Sequence, residues 1–242
     1  MNKLMTHIVA GYPSLEESKQ IGLAMLKSGV SFLEIQIPFS DPVADGKTIA
    51  KANQVALENG TKLRDCFDLA AQFVSSFDTP VLFMTYYNVI FKYGVKEFMS
   101  ECKGIGIYGL IVPDIPYDSP DGELFLEQAR ANNIHMIFVV SPITPEYRLK
   151  QIGEKTSGIV YCVSKFGLTG TGGFEVDGLG QYLDVVRKYI KVPLALGFGI
   201  RSMEDVKKAN QVADVAVIGS ALIKKYEADG LSGVEEFLGY FF

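Results

Sequence analysis

Cysteine is scarce in this chain. The three present, Cys66, Cys102 and Cys162, lie far apart with no CxxC spacing and no paired histidine. That argues against a disulfide framework and against a structural zinc, so no metal site is expected. Positive charge is not gathered into a stripe either. The net charge is −5 without strong bias along the chain, which speaks against nucleic acid as the main partner. Long apolar runs are missing: the most apolar segment, "VLFMTYYNVIF", is too short and too polar to span a bilayer. "MNKLMTHIVAGYPS" has no long apolar stretch before its first turn, so no signal peptide is expected. No Pro/Ser/Gly-rich linker divides the sequence and no GxxxxGK[ST] loop occurs. The expectation is a soluble, cytoplasmic chain without a membrane partner, folded as one domain over residues 1–242.

What the chain does have is core material. Apolar residues make up 48% of it, ample for a sizeable interior. Short β-branched runs alternate with stretches of helical period. Strands are expected at 6–11, 32–37, 80–86, 109–114, 135–141, 159–164, 193–199 and 214–220. Between them lie amphipathic segments such as "SLEESKQIGLAMLKSG", and "SMEDVKKANQV" opens with a serine cap and an acidic first turn. Eight strand–helix units in about 250 residues suit a single-domain (β/α)₈ TIM barrel. A doubly wound open sheet has a similar rhythm, and the count of eight favours the barrel.

In a barrel the chemistry sits at the C-terminal ends of the strands and on the loops after them. The second strand, "FLEIQI", is therefore informative. Period two puts Leu33, Ile35 and Ile37 on the helix-facing side and turns Glu34 and Gln36 inward. A carboxylate buried there is raised toward the proton-transfer range. An inward Glu satisfied by a neighbouring Lys or Ser explains the pattern equally well. The loop that follows, "PFSDPVADGKT", holds Asp41 and Asp45 in ordinary turn chemistry, but it can also bring a second carboxylate to whatever Glu34 touches.

The loops after the last two strands, "GFGIRS" and "VIGSALIKK", carry the small residues that let backbone N–H groups approach an anion. Read as a dinucleotide fingerprint, "GFGIRSME" lacks its last glycine and comes late in the chain, and it is set aside. "SKFGLTGTGGFE" (164–175), glycine-rich and on the same rim, has the composition of a lid. His7 and His135 are read as structural residues at the N-terminal end of the barrel, and Tyr161 faces either way.

Six segments carry a resemblance to a known family. "LEIQIPFSDPVADG", "MTYYNVIFKYG", "GLIVPDIP", "SKFGLTGT", "LGFGI" and "VIGSA" resemble, in order and along nearly the whole chain, the tryptophan synthase alpha subunit family. The resemblance implies a (β/α)₈ lyase that cleaves indole-3-glycerol phosphate to indole and glyceraldehyde 3-phosphate for tryptophan biosynthesis. No cofactor is implied in this subunit. Indole would pass to a pyridoxal phosphate-dependent beta subunit in an alpha2-beta2 heterotetramer. Matched by motif, Glu34 takes the acid/base position and Asp45 that of the carboxylate bonded to the indole N–H. Tyr86, Tyr161 and Thr169 fall at pocket positions. Gly170, Gly199, Gly219 and Ser220 fall at the phosphate cradle, and Pro38, Asp41, Pro42 and Asn88 face the beta subunit.

Three departures from the family pattern stand out. The helix that usually precedes the first strand and covers the barrel's bottom is reduced to "MNKLM". Gln36 stands where glycine is common, placed to bond Glu34 or crowd the pocket. Lys47 replaces a common proline after "ADG". The alternatives to an active lyase subunit are a catalytically weak barrel that mainly activates a beta subunit, a stand-alone indole-releasing lyase, and another phosphate-binding barrel such as an isomerase.

Overall fold

The computed structural model describes residues 3–115, 117–163, 178–197 and 199–239. The first half of the chain runs β1 (Leu4–Val9), α1 (Leu15–Lys27), β2 (Phe32–Gln36), α2 (Lys47–Glu58), α3 (Leu63–Ser76), β3 (Val81–Met84), α4 (Tyr87–Tyr93), α5 (Val95–Ile105) and β4 (Gly109–Ile111). The second half runs α6 (Pro120–Ala131), β5 (His135–Met136), β6 (Val139–Val140), α7 (Glu146–Lys155), β7 (Val160–Val163) and α8 (Leu179–Tyr189). It ends with β8 (Leu194–Gly197), α9 (Met203–Val212), β9 (Val215–Ile218) and α10 (Ser220–Gly239), which is broken at Gly230.

Every expected strand is present. One differs in form: the stretch expected as a single strand over 135–141 is two short segments. The cause is barrel closure. β5 pairs with β4 and β6 pairs with β7, so one extended stretch changes neighbours partway along. The Ile137 N–H donates to the Leu110 carbonyl, and the Tyr161 N–H donates to the Phe138 carbonyl, each at 2.9 Å. The nine segments follow the order β5-β4-β3-β2-β1-β9-β8-β7-β6, and neighbouring strands among the described residues run parallel. The two ends of that order are joined by two residues of chain. An open doubly wound sheet is thereby ruled out.

Strand parity sorts the apolar residues into two layers. Leu33, Ile35 and Phe83 point outward into a helix-facing core with Phe67, Phe73 and Phe98. Met5, Leu82, Met84, Ile111, Ala195 and Val217 point inward and fill the barrel. Phe67, Phe73, Phe83 and Phe98 are almost fully buried, and each such side chain contributes on the order of 1.5–3 kcal/mol over an exposed one. The outer layer thus fixes which strand residues are left to face inward.

Three helices open on serine caps, and that of α9 is the one expected from the sequence. Ser14, Ser119 and Ser202 hydroxyls accept from the backbone N–H groups of Glu17, Gly122 and Asp205 at 3.1–3.2 Å. Asp205 completes a capping box by accepting the Ser202 N–H at 3.1 Å. Among the described residues no helix is long and apolar enough to cross a membrane.

Candidate active site

At the C-terminal rim the barrel opens into a cavity with about 740 Å³ of space, open mouth included. Its wall is mainly apolar, from Ile49, Met84, Ile111, Val139 and Val217. An imidazole and two carboxylates line it from neighbouring positions: His7 from β1, Glu34 from β2 and Asp45 from the loop after β2.

Glu34 is 4% exposed. Its Oε1 lies 3.0 Å from His7 Nδ1, and its Oε2 has no hydrogen-bond partner among the described residues. The Lys or Ser that a satisfied structural Glu calls for is not what it meets. His7 corrects the sequence reading. It is not a remote structural residue but the direct neighbour of Glu34, the two being Cα partners across β1 and β2. Burial pulls the His7 pKa down, but the charge and hydrogen bond of Glu34, with the charge of Asp45, outweigh it and leave His7 above the ordinary histidine value. His135 does sit at the start of its strand, bonded to Ser157 at 2.8 Å and packed on Tyr108.

Asp45 combines both readings of its loop. Its backbone N–H closes a turn onto the Pro42 carbonyl at 2.9 Å, while its side chain is buried at the cavity wall. Oδ2 accepts from Gln36 Nε2 at 2.6 Å and from the Tyr86 hydroxyl at 2.9 Å. That hydroxyl in turn accepts the Ala44 N–H at 3.1 Å, and Phe39 stacks on the Tyr86 ring at 5.1 Å. Burial raises the Asp45 pKa, and the Gln36 hydrogen bond and the His7 charge offset only part of that rise. Burial, followed by the charge of Asp45, raises the Tyr86 hydroxyl well above its ordinary value, so it stays a donor. Gln36 therefore neither bonds Glu34 nor crowds the cavity; it orients Asp45.

Tyr161, of undecided facing in the sequence, turns inward. Burial, then the charges of Glu34 and Asp45, push its hydroxyl far above the usual tyrosine range. Gly199, Gly219 and Ser220 line the same cavity, with Gly219 against His7. Ser220 opens α10, so the positive end of a helix faces the cavity. Gly199 has φ +84°, a conformation in which a side chain is strained. Thr169, Gly170 and the whole 164–175 segment lie outside the described residues. Of the residues expected to face a partner, Asp41 and Asn88 are exposed and Pro42 is half-buried. Pro38 is buried at the end of β2 and does not belong to that exposed edge. Lys47 is exposed at the start of α2.

A buried acid with one oxygen unpartnered among the described residues, a second oriented carboxylate and a helix N-terminus at the same cavity mark the candidate active site of a barrel enzyme. Comparison with known proteins gives the family. The model of the tryptophan synthase alpha chain family matches residues 1–236. The tryptophan synthase alpha chain of Desulforapulum autotrophicum is 43% identical over 97% of this chain and 92% of its own. That of Syntrophotalea carbinolica is 42% identical over the same shares. Among solved structures, Mycobacterium tuberculosis tryptophan synthase matches at 30% identity with a TM-score of 0.90, over 98% of this chain and 90% of that one. A tryptophan synthase alpha-subunit mutant from Pyrococcus furiosus matches at 36% identity and a TM-score of 0.87, over 99% and 97%. The chain belongs to the tryptophan synthase alpha chain family.

Proposed function

We propose that this chain cleaves indole-3-glycerol phosphate to indole and glyceraldehyde 3-phosphate, a retro-aldol lyase reaction in tryptophan biosynthesis. The observation that carries the reading is Glu34: buried at the cavity, tied through one oxygen and, among the described residues, unpartnered at the other. In the reaction the ring carbon C3 gains a proton, the glycerol hydroxyl next to it loses one, and the carbon–carbon bond between them breaks. Glu34 serves both transfers, as acid to C3 and as base to the hydroxyl.

Protonation of C3 leaves the ring nitrogen cationic, and Asp45, already oriented by Gln36 and Tyr86, stabilises that charge by accepting the indole N–H. The apolar wall accommodates the ring, and Gly199, Gly219, Ser220 and the start of α10 take the phosphate. Thr169 and Gly170 complete the pocket and the cradle in this reading. The reaction so written uses no cofactor in this chain. Pyridoxal phosphate acts in a beta subunit that receives the indole, in a cytoplasmic alpha2-beta2 assembly, with the Asp41, Pro42 and Asn88 edge toward that partner. Residues 1–242 act as one domain. Glu34→Gln is expected to lower turnover by at least about a thousandfold while substrate affinity stays within a few-fold. Turnover near that of the parent would overturn the role of Glu34.

A further inference from the structure

His7 stands in the cavity wall beside the reactive carboxylate, and the lyase reading gives it no task. Its ring and Glu34 are 5% and 6% exposed at the side chain, and they are opposite partners on adjacent parallel strands. The backbone therefore fixes the contact. Gly219 is part of the arrangement, since a Cβ there would lie 3.2 Å from that of His7; a larger residue would press the ring toward Glu34. A glutamate has three side-chain torsions, and a buried one without a tether would be free to turn either oxygen away from the substrate.

We propose that His7 is a positioning residue for Glu34: it holds Oε1 through Nδ1, leaves Oε2 to the substrate, and shares one proton with the carboxylate through the catalytic cycle. This rests on Glu34 as the acid and base. An imidazole suits the task because it bonds both states of its neighbour. With Glu34 ionised, the charged ring donates its Nδ1–H to Oε1; with Glu34 protonated at Oε2, the neutral Nδ1–H tautomer still donates to Oε1, so the proton meant for the substrate sits on the other oxygen. A lysine in its place would keep its charge and hold Glu34 ionised. The proton count closes. The pair gives one proton from Glu34 to ring carbon C3. Glu34 then takes one from the glycerol hydroxyl as the carbon–carbon bond breaks, so the pair ends as it began.

The titratable and polar groups that line the cavity with His7 are Glu34 from β2, Asp45 from the following loop, Tyr161 from β7 and Ser220 at the start of α10. Behind it lie Tyr12 and Tyr226, which are engaged with Glu227 and Glu17. Among the described residues no lysine or arginine lines the cavity, so both charges near the ring are negative and favour its protonated form.

Two measurements on the full chain test this. The chain has two histidines, so labelled imidazoles give two titrations, with His135→Gln identifying each. His7 is expected to titrate above 6.5 and His135, lowered by burial, below it. In Glu34→Gln the His7 titration should fall by at least about one pH unit. Titration of His7 below its ordinary value in the parent, or no change in Glu34→Gln, overturns the pair.

The second measurement is the pH profile of indole release by His7→Gln, whose amide still bonds Oε1 but carries no exchangeable charge. The alkaline limb should move down by at least about one unit, with kcat lowered about tenfold near neutrality and KM changed less than about threefold. A parental pH profile in His7→Gln, with Glu34→Gln inactive, overturns the role of His7 alone. Full activity in Glu34→Gln removes the acid/base reading and the role of His7 with it.

Discussion

Asp45 shows how much one residue owes to its neighbours. Its Oδ2 collects a short bond from an amide and another from a phenol, yet burial still leaves its pKa raised. A carboxyl with a raised folded-state pKa binds more protons folded than unfolded. Its contribution to stability is therefore greatest at low pH and is lost as pH rises through the raised value. Asparagine accepts the same two hydrogen bonds and carries no charge. Asp45→Asn is expected to be more stable than the parent by about 1 kcal/mol at neutral pH. The gap should shrink as pH is lowered toward 3.8, the ordinary aspartate value. Turnover should fall strongly in the same variant. Urea melts across this range check the sign; a gap independent of pH would show that Asp45 is not ionised at a cost in the folded chain. At this scale the sequence was uneven. Glu34 was legible because a carboxylate breaks an apolar strand at a fixed parity. His7 was not, because "LMTHIVAG" is apolar on both faces and offers no alternation by which to orient the ring.

The strands β7 and β8 show the same logic between elements. Tyr161 pairs with Ala195 and Val163 with Gly197, and the Tyr161 ring lies across the glycine. A Cβ on Gly197 would collide with the Tyr161 hydroxyl and stand 2.7 Å from the ring edge at Cε1. Gly197→Ala is therefore expected to push Tyr161 into the cavity, raising KM about tenfold or more and costing about 1–3 kcal/mol of stability. An alanine variant with parental KM and melting behaviour would contradict this packing. Strand positions and the Ser202 cap of α9 were readable because each rests on a local rule of periodicity or capping. The division of 135–141 into β5 and β6 was not, because it arises from closure with β4 and β7, whose residues are distant in sequence. The inward turn of Tyr161 was hidden for the same reason: only the register of the finished barrel selects its face.

For the whole molecule, the barrel places every polar group of the site on one rim while two apolar layers hold the strands in register. Count and rhythm made the barrel legible, and the six family segments located its rim. They did not reveal the two contacts of His7 with Glu34 and Gln36 with Asp45. Both involve residue pairs brought together only by strand pairing or by the return of a loop. These contacts make the site internally bonded before any substrate enters, which suits proton transfer in a preorganised cavity. The exposed Asp41 and Asn88 beside that rim give the proposed beta subunit a place to act on the same loop that carries Asp45. The most direct test is indole release from indole-3-glycerol phosphate, measured with the protein alone and again with a tryptophan synthase beta subunit added. The account predicts slow release alone and a rise of at least about tenfold with the partner. Folded protein that releases no indole in either mixture would contradict it.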